Sequence, residues 1–327
     1  MRRAFLQQLL AAGAAIGSTE RMAFAQGAAG WPMHPLRWIV AYPAGGGSDF
    51  LARQTAPWLG KMLGQTIVID NRPGAGGIIG TEIAAHAAPD GYTILLGDNG
   101  AMIFNEALYR KLPYSPKDLA PVGFIARFPL VLVAHPSTGW TTGRDWLAAM
   151  RASPGKYNYA SPGAGSPHHL AMELLKDRGK LFIVHVPYRG TAMALQDVMS
   201  GQVPMMIVDT AAGLPQIRTG KVKPLAVLSR ERIASLPEVP TAREAGLPDV
   251  EVFAWQGMFV PAATPQEIVG RLTDALQRSL ATPELRSALE DFGLQVAPSG
   301  PDELRRFVAS ETATWHALIH ERGLTIE

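Results

Sequence analysis

Apolar runs of four to six residues alternate along this chain with segments whose apolar positions recur at helical spacing. Leu36-Arg-Trp-Ile-Val-Ala41, Thr66-Ile-Val-Ile69 and Tyr92-Thr-Ile-Leu-Leu96 have the β-branched and aromatic content that suits buried strands. Leu51, Thr55, Trp58, Leu59 and Met62 mark one helical stripe between them, and a second helix is expected over 79–86. Such alternation predicts an α/β fold of parallel sheets with crossover helices. Phe124-Ile-Ala-Arg-Phe-Pro-Leu-Val-Leu-Val-Ala134 is longer and is interrupted by Pro129, so it reads as a strand that leaves one lobe and enters the next. A second α/β unit follows, with helices over 144–151, after Ser166 and over 192–199. Its strands are Tyr157-Asn-Tyr-Ala160, Phe182-Ile-Val-His-Val186, Met205-Met-Ile-Val208 and Lys223-Pro-Leu-Ala-Val-Leu228. The proline-rich stretch 236–249 is a surface connection, and Val252-Phe-Ala-Trp-Gln-Gly-Met-Phe-Val260 is a return crossing. Helices over 265–281, 283–292 and 301–322 close the chain, each with a proline in its first turn. Two crossings divide the chain into one lobe of 26–127 with 255–327 and another of 128–254, hinged about a cleft.

The candidate chemistry lies in two glycine-rich turns, Pro43-Ala-Gly-Gly-Gly-Ser48 and Ser161-Pro-Gly-Ala-Gly-Ser166, each between a strand and a helix. A helix N-terminus there offers uncommitted N–H donors to an anion, and glycine lets the backbone approach it. Ser48 and Ser166 are the expected caps, with Pro167 at the first helical position of the second helix. Either turn alone could be an ordinary βα connection; the matched pair favours two ends that clasp one carboxylate.

With 327 residues the chain is long enough for two α/β lobes, and its 47% apolar and 18% charged content describes a well-buried globular protein. A net charge of +2 and the lack of any basic block give no case for nucleic acid. The absence of cysteine excludes disulfides, thiolate metal sites, thiol catalysis and a lipid-bearing cysteine. Residues 1–25 read as a cleaved export signal, with Arg2-Arg3, an apolar Leu9-Leu-Ala-Ala-Gly-Ala-Ala-Ile16 and Ala23-Phe-Ala25 before the cut. Arg2-Arg-Ala-Phe-Leu6 fits a twin-arginine signal as well as a general secretory one. Both lead to a bacterial periplasm.

The chain resembles the solute receptors of tripartite tricarboxylate transporters, the Bug family. The likeness runs through Trp38-Ile-Val-Ala-Tyr-Pro-Ala-Gly-Gly, Asn71-Arg-Pro-Gly-Ala-Gly-Gly77, Ala88-Pro-Asp-Gly-Tyr-Thr-Ile-Leu-Leu-Gly97, Leu112-Pro-Tyr, His185-Val-Pro-Tyr188, Pro240-Thr-Ala-Arg-Glu-Ala-Gly-Leu-Pro248 and Pro261-Ala-Ala-Thr-Pro265. It is collinear over essentially the whole mature chain. It implies a two-lobe, type II-like periplasmic binding fold, each lobe a mostly parallel sheet flanked by helices. It further implies a monomer that closes on a small carboxylate and hands it to membrane permease subunits, with no cofactor, no metal and no catalysis. Carried over, the resemblance puts Tyr42, Ala44, Gly45, Gly46 and Asp49 at the cleft from the first turn. From the second come Ala160, Ser161, Gly163, Ala164, Gly165 and Ser166. Asn99 and Tyr188 join the ligand-binding set, and Asp209 stands at, or one position from, an acidic residue near the ligand's far end. Pro162 and His168 replace the small hydroxyl residues usual in the family, so ligand size and charge are expected to differ here.

Asp49 has a second reading as a helix-dipole partner just past the cap, because an ionised carboxylate would repel a ligand carboxylate. His168, His169 and Glu173 invite a metal reading, but adjacent histidines leave a helix on different faces, which favours core and solvent positions, with His168 retained as a cleft residue. Neither Ser48 nor Ser166 sits in Gly-x-Ser-x-Gly, and no Gly-Lys-Ser/Thr follows either turn, so hydrolase and nucleotide-binding motifs are missing. A periplasmic sensing subunit would share every one of these features, and an exported hydrolase is the enzyme alternative.

Overall fold

The computed structural model describes residues 30–248 and 250–326, so the expected export signal lies outside the described residues. The strands are β1 (Leu36–Val40), β2 (Ile67–Asn71), β3 (Thr93–Asp98), β4 (Leu119–Ala134), β5 (Asn158–Ser161), β6 (Val184–Pro187), β7 (Met205–Asp209), β8 (Lys223–Val227), β9 (Phe253–Pro261) and β10 (Gln295–Ser299). The helices are α1 (Gly47–Leu63), α2 (Ile78–Ala85), α3 (Asn105–Leu108), α4 (Gly143–Ala152), α5 (Pro167–Gly179), α6 (Thr191–Met199), α7 (Thr210–Arg218), α8 (Gln266–Leu280), α9 (Pro283–Asp291) and α10 (Pro301–Glu321).

The strands form one sheet in the order β2-β1-β3-β9-β4-β7-β5-β6, with β10 and β8 also paired to β4. Strand β4 carries the connectivity. Its first part pairs antiparallel with β9, from Leu119 opposite Pro261 to Pro129 opposite Phe253, and its last part with β7, from Leu130 opposite Asp209 to Ala134 opposite Met205. The exchange of partners falls at Pro129, which has no N–H to give to a ladder, so a proline costs least at that joint. One long strand running through Pro129 is what the sequence predicts. Strand β9 pairs with β4 and β3 throughout, so the chain returns just before it, where Val252 N–H bonds to Leu228 O at 2.9 Å.

The sheet is mixed rather than mostly parallel. Strands β2-β1-β3 and β7-β5-β6 are parallel, as the strand-helix alternation predicts, but β9, β4, β10 and β8 enter antiparallel. Their direction is set by the two crossings, which the alternation does not report. Trp38, Leu51, Leu59 and Leu272 build the core beneath α1 and α8. A larger core runs along the other face, from Ile39 and Leu95 through Trp255 to Trp146, Tyr159 and Leu175. The carboxyl ends of β1, β3, β5 and β7 lead into Ala41, Asn99, Pro162 and Thr210, the end of an open α/β sheet at which ligands bind.

Candidate functional site

The first glycine turn delivers the chain from β1 into α1. Its cap is Gly46, in extended conformation, rather than Ser48, which lies inside the helix and makes no capping bond. Capping comes from within the helix instead. Asp49 Oδ2 accepts the Gly45 N–H at 2.9 Å and Arg53 Nε–H at 2.8 Å, and Oδ1 accepts from Asn71 Nδ2 at 3.0 Å. Burial pushes this carboxyl up, but those bonds from Arg53, Gly45 and Asn71 outweigh it and hold Asp49 below the usual carboxylate range. Asp49 is therefore an internal brace. Among the described residues, the N–H groups of Gly46, Gly47 and Ser48 take no partner within the chain, and they face the end of the helix where an anion is favoured.

The second turn is built differently. Ser166 caps α5 as expected, its Oγ accepting the His169 N–H at 3.2 Å, and Pro167 opens the helix. The rest of the turn spends its donors internally. Gly163 N–H bonds to Ser161 Oγ at 3.1 Å, Gly165 N–H to His169 Nδ1 at 3.2 Å, and Ser166 N–H to Gly163 O at 3.2 Å. Within the turn this leaves the Ala164 N–H uncommitted among the described residues. Gly165 has φ +76°, and a side chain there would meet Leu108 Cδ1 at 3.0 Å and Ile326 Cδ1 at 3.1 Å. The turn thus packs against α3 and the C-terminal segment, where Ile326 N–H bonds to Leu108 O at 2.9 Å.

A histidine stack supports this turn. His169 and His185 lie face to face at 4.1 Å, Tyr159 stacks on His185 at 4.9 Å, and His185 Nε2 meets Ser161 Oγ at 2.6 Å. Burial, reinforced by Lys176, pushes His169 down to about 4; burial and the neighbouring His169 push His185 down to about 3. Both rings are neutral near pH 7, as His169 must be to accept the Gly165 N–H. Glu173 accepts from Tyr159 Oη at 2.8 Å and pairs with Lys176.

The other neighbouring histidine points elsewhere. His168 Nε2 lies 3.2 Å from Asp209 Oδ2, and Asp209 Oδ1 accepts the Ala212 N–H at 2.9 Å as the cap of α7. Burial acts to raise the Asp209 carboxyl, yet the bond to His168, its charge and the Ala212 N–H bring it below its ordinary value. Asp209 also faces the first turn, since a methyl built on Gly47 would sit 3.7 Å from its Oδ1, 3.5 Å from Ala211 Cβ and 3.2 Å from the Phe128 ring. Gly46 and Gly47, Asp209 and His168 therefore converge. Gln256 of β9, absent from the expected set, completes the group through a hydrogen bond from Nε2 to Ser48 Oγ. Its signal was available, since it is the one amide in the otherwise apolar run Phe-Ala-Trp-Gln-Gly-Met-Phe-Val-Pro.

Several expected residues sit nearby with their polar atoms engaged. The Tyr42 hydroxyl turns to Asp98, beneath Gly77 and Gly100. Asn99 ties β3 to β9, accepting the Trp255 N–H at 2.9 Å and donating to Phe253 O at 3.3 Å. Tyr188 donates to Asp197 Oδ2 at 2.7 Å, and burial together with that carboxylate pushes its hydroxyl up to about 12. Ala44 and Gly45 are exposed, Gly163, Ala164 and Ser166 half-buried, and Ala160 and Ser161 buried at the end of β5.

The family model for the TctC tripartite tricarboxylate transporter family receptor matches residues 51–324. The protein of the tcbD-tcbE intergenic region of Pseudomonas sp. (strain P51) is 38% identical over 315 residues, covering 96% of this chain and 94% of its own. An R. palustris protein solved with adipate is 34% identical with a TM-score of 0.86, covering 90% of this chain and 99% of its own. MatC from Rhodopseudomonas palustris, solved with bound malate, is 34% identical with a TM-score of 0.82, covering 88% of this chain and 100% of its own.

Proposed function

The chain belongs to the tripartite tricarboxylate transporter receptor family, and from that premise we propose that it is a periplasmic solute receptor that closes two lobes on a small carboxylate and delivers it to membrane permease subunits. The observation that carries this reading is the row of uncommitted N–H donors at Gly46, Gly47 and Ser48, at the N-terminus of a helix of 17 residues and against Asp209 and His168 from the far side of β4. A carboxylate seated there is stabilised by directed hydrogen bonds and by the helix dipole, with no catalytic group required. Adipate and malate, bound by two relatives of the same fold, are carboxylates of the size this reading calls for.

The lobes in this reading are 26–127 with 255–327 and 128–254, joined at β4 and at the return before β9. Ligand drives closure only as far as it binds the closed state better than the open one. Residues 1–25 act as the export signal, and among the described residues no helix is long and apolar enough to cross a membrane. A thermal-shift screen against a carboxylate panel tests the reading, because a ligand at 100 times its dissociation constant adds about 2.7 kcal/mol to stability. Small-angle scattering of the best hit should then give a smaller radius of gyration than the free protein. Absence of any stabilising carboxylate would refute the receptor, and an unchanged radius beside tight binding would refute the closure.

A further inference from the structure

Two side-chain atoms flanking the N-terminus of α1 are buried and have no hydrogen-bond partner. They are Gln256 Oε1 and His168 Nδ1, on residues only 5% and 7% exposed. They come from opposite sides of β4. Gln256 reaches α1 through Ser48 Oγ, and His168 through Asp209, whose Oδ1 faces Gly47. A buried polar atom left unpaired is costly, so a pair of them beside uncommitted N–H donors marks places where a ligand completes the bonding.

The Gln256 amide oxygen can only accept a hydrogen bond. Asp209 Oδ2 faces His168 Nε2, so that nitrogen donates to the carboxylate and Nδ1 is the ring atom left without a partner. Gln256 Nε2 is engaged with Ser48, which leaves the buried amide oxygen as the unpaired acceptor. A second carboxylate placed here would meet the Gln256 oxygen and lie close to the Asp209 carboxylate. A hydroxyl or ammonium group donates to the Gln256 oxygen with no such penalty.

We propose that Gln256 and His168 form a specificity pocket that selects carboxylates bearing a hydroxyl or ammonium group next to the carboxylate over the same acid without it. This rests on the receptor reading and deepens it. A site built to hydrogen-bond a ligand hydroxyl rejects the analogue that lacks it, because its own polar groups are then stranded.

Titration calorimetry with two matched sets, succinate, malate and aspartate, and propionate, lactate and alanine, tests the pocket. In at least one set the hydroxy or amino acid should bind at least tenfold tighter than the plain acid, and the order of the two donor-bearing members tells hydroxyl from ammonium. In Gln256→Met, which keeps the volume and loses the acceptor, the ratio of the two affinities should shrink severalfold. His168→Phe gives the same readout should the first variant fail to fold. Equal or tighter binding of the plain acids, or an unchanged preference in folded Gln256→Met and His168→Phe, overturns the pocket but leaves the receptor standing. Silence toward all six acids and toward the wider carboxylate panel overturns the receptor reading, and the pocket with it.

Discussion

The second glycine turn is held by histidines that must stay neutral, so acid should loosen it well above the pH at which carboxylates protonate. His169 titrates at about 4 and His185 at about 3 in the folded chain, against about 6.5 when unfolded. Folded values below the unfolded one mean that the unfolded chain takes up the protons first. The stability from these rings is therefore complete above about pH 6.5 and is lost as pH falls toward 4 and then 3. At pH 5 a single histidine so depressed has forfeited about 1.5 pH units of linkage, or about 2 kcal/mol. The two rings stack and share one environment, so their joint effect lies between about 2 and 4 kcal/mol, a large part of the stability of an ordinary domain. Asp49, Asp70 and Asp209, whose carboxyls are lowered, lose their contribution only at lower pH, below about 4. Asp98 and Glu311 are raised by burial and gain stability as pH falls, opposing the histidines. The decisive comparison is therefore between wild type and His169→Gln, which retains an acceptor for the Gly165 N–H but does not titrate. Denaturant unfolding at pH 7, 6 and 5 should give a fall in stability from pH 7 to 5 that is smaller in the variant by about 2 kcal/mol. Equal falls in the two proteins would refute the claim that His169 is neutral and buried against Gly165.

The two turns should respond differently to one substitution. Gly46→Val meets only Pro43 O at 3.8 Å, so the free protein should keep its melting temperature to within a few degrees while calorimetry shows at least tenfold weaker carboxylate binding; unchanged affinity would make the first turn a mere connection. Gly165→Val, at φ +76° and within 3.1 Å of Leu108 and Ile326, should destabilise the free protein by on the order of 2 kcal/mol or more, and a cooperative unfolding transition at the wild-type denaturant concentration would contradict that packing. Arg322→Ala removes ion pairs to Asp177 and Glu173 from a part-exposed guanidinium, so chemical unfolding should shift by no more than about 1 kcal/mol, and a much larger loss would show that this contact clamps α10 to α5. Intact mass of the exported protein should correspond to cleavage after Ala25; a chain retaining Met1, or starting beyond Trp31, would contradict the export signal.

What could be read from the sequence follows the range over which each feature is determined. Pro167 after Ser166, or a glycine run between an apolar stretch and a helical stripe, is decided within a few residues, and the second helix starts where that local grammar says. The same grammar fails at Ser48, because Asp49 reaches back to Gly45 while Asn71, 22 positions away, braces it, so a bare glycine suffices as cap. Helix α7 carries Gly213 and Pro215 within nine residues, and β10 contains Pro298 and a register shift, so each has weak propensity and forms because the sheet and the Asp209 cap demand it. Strand direction in β4 and β9 escaped for the same reason, since alternation reports that strands exist and not which way a crossing makes them run. The site divides along this line. Its donors belong to a local turn and are legible, whereas Gln256 and His168 acquire meaning only when β9 and α5 arrive on either side of α1. The residues proposed to choose among carboxylates are thus the ones a single sequence hides best, because elements far apart in the chain bring them to α1.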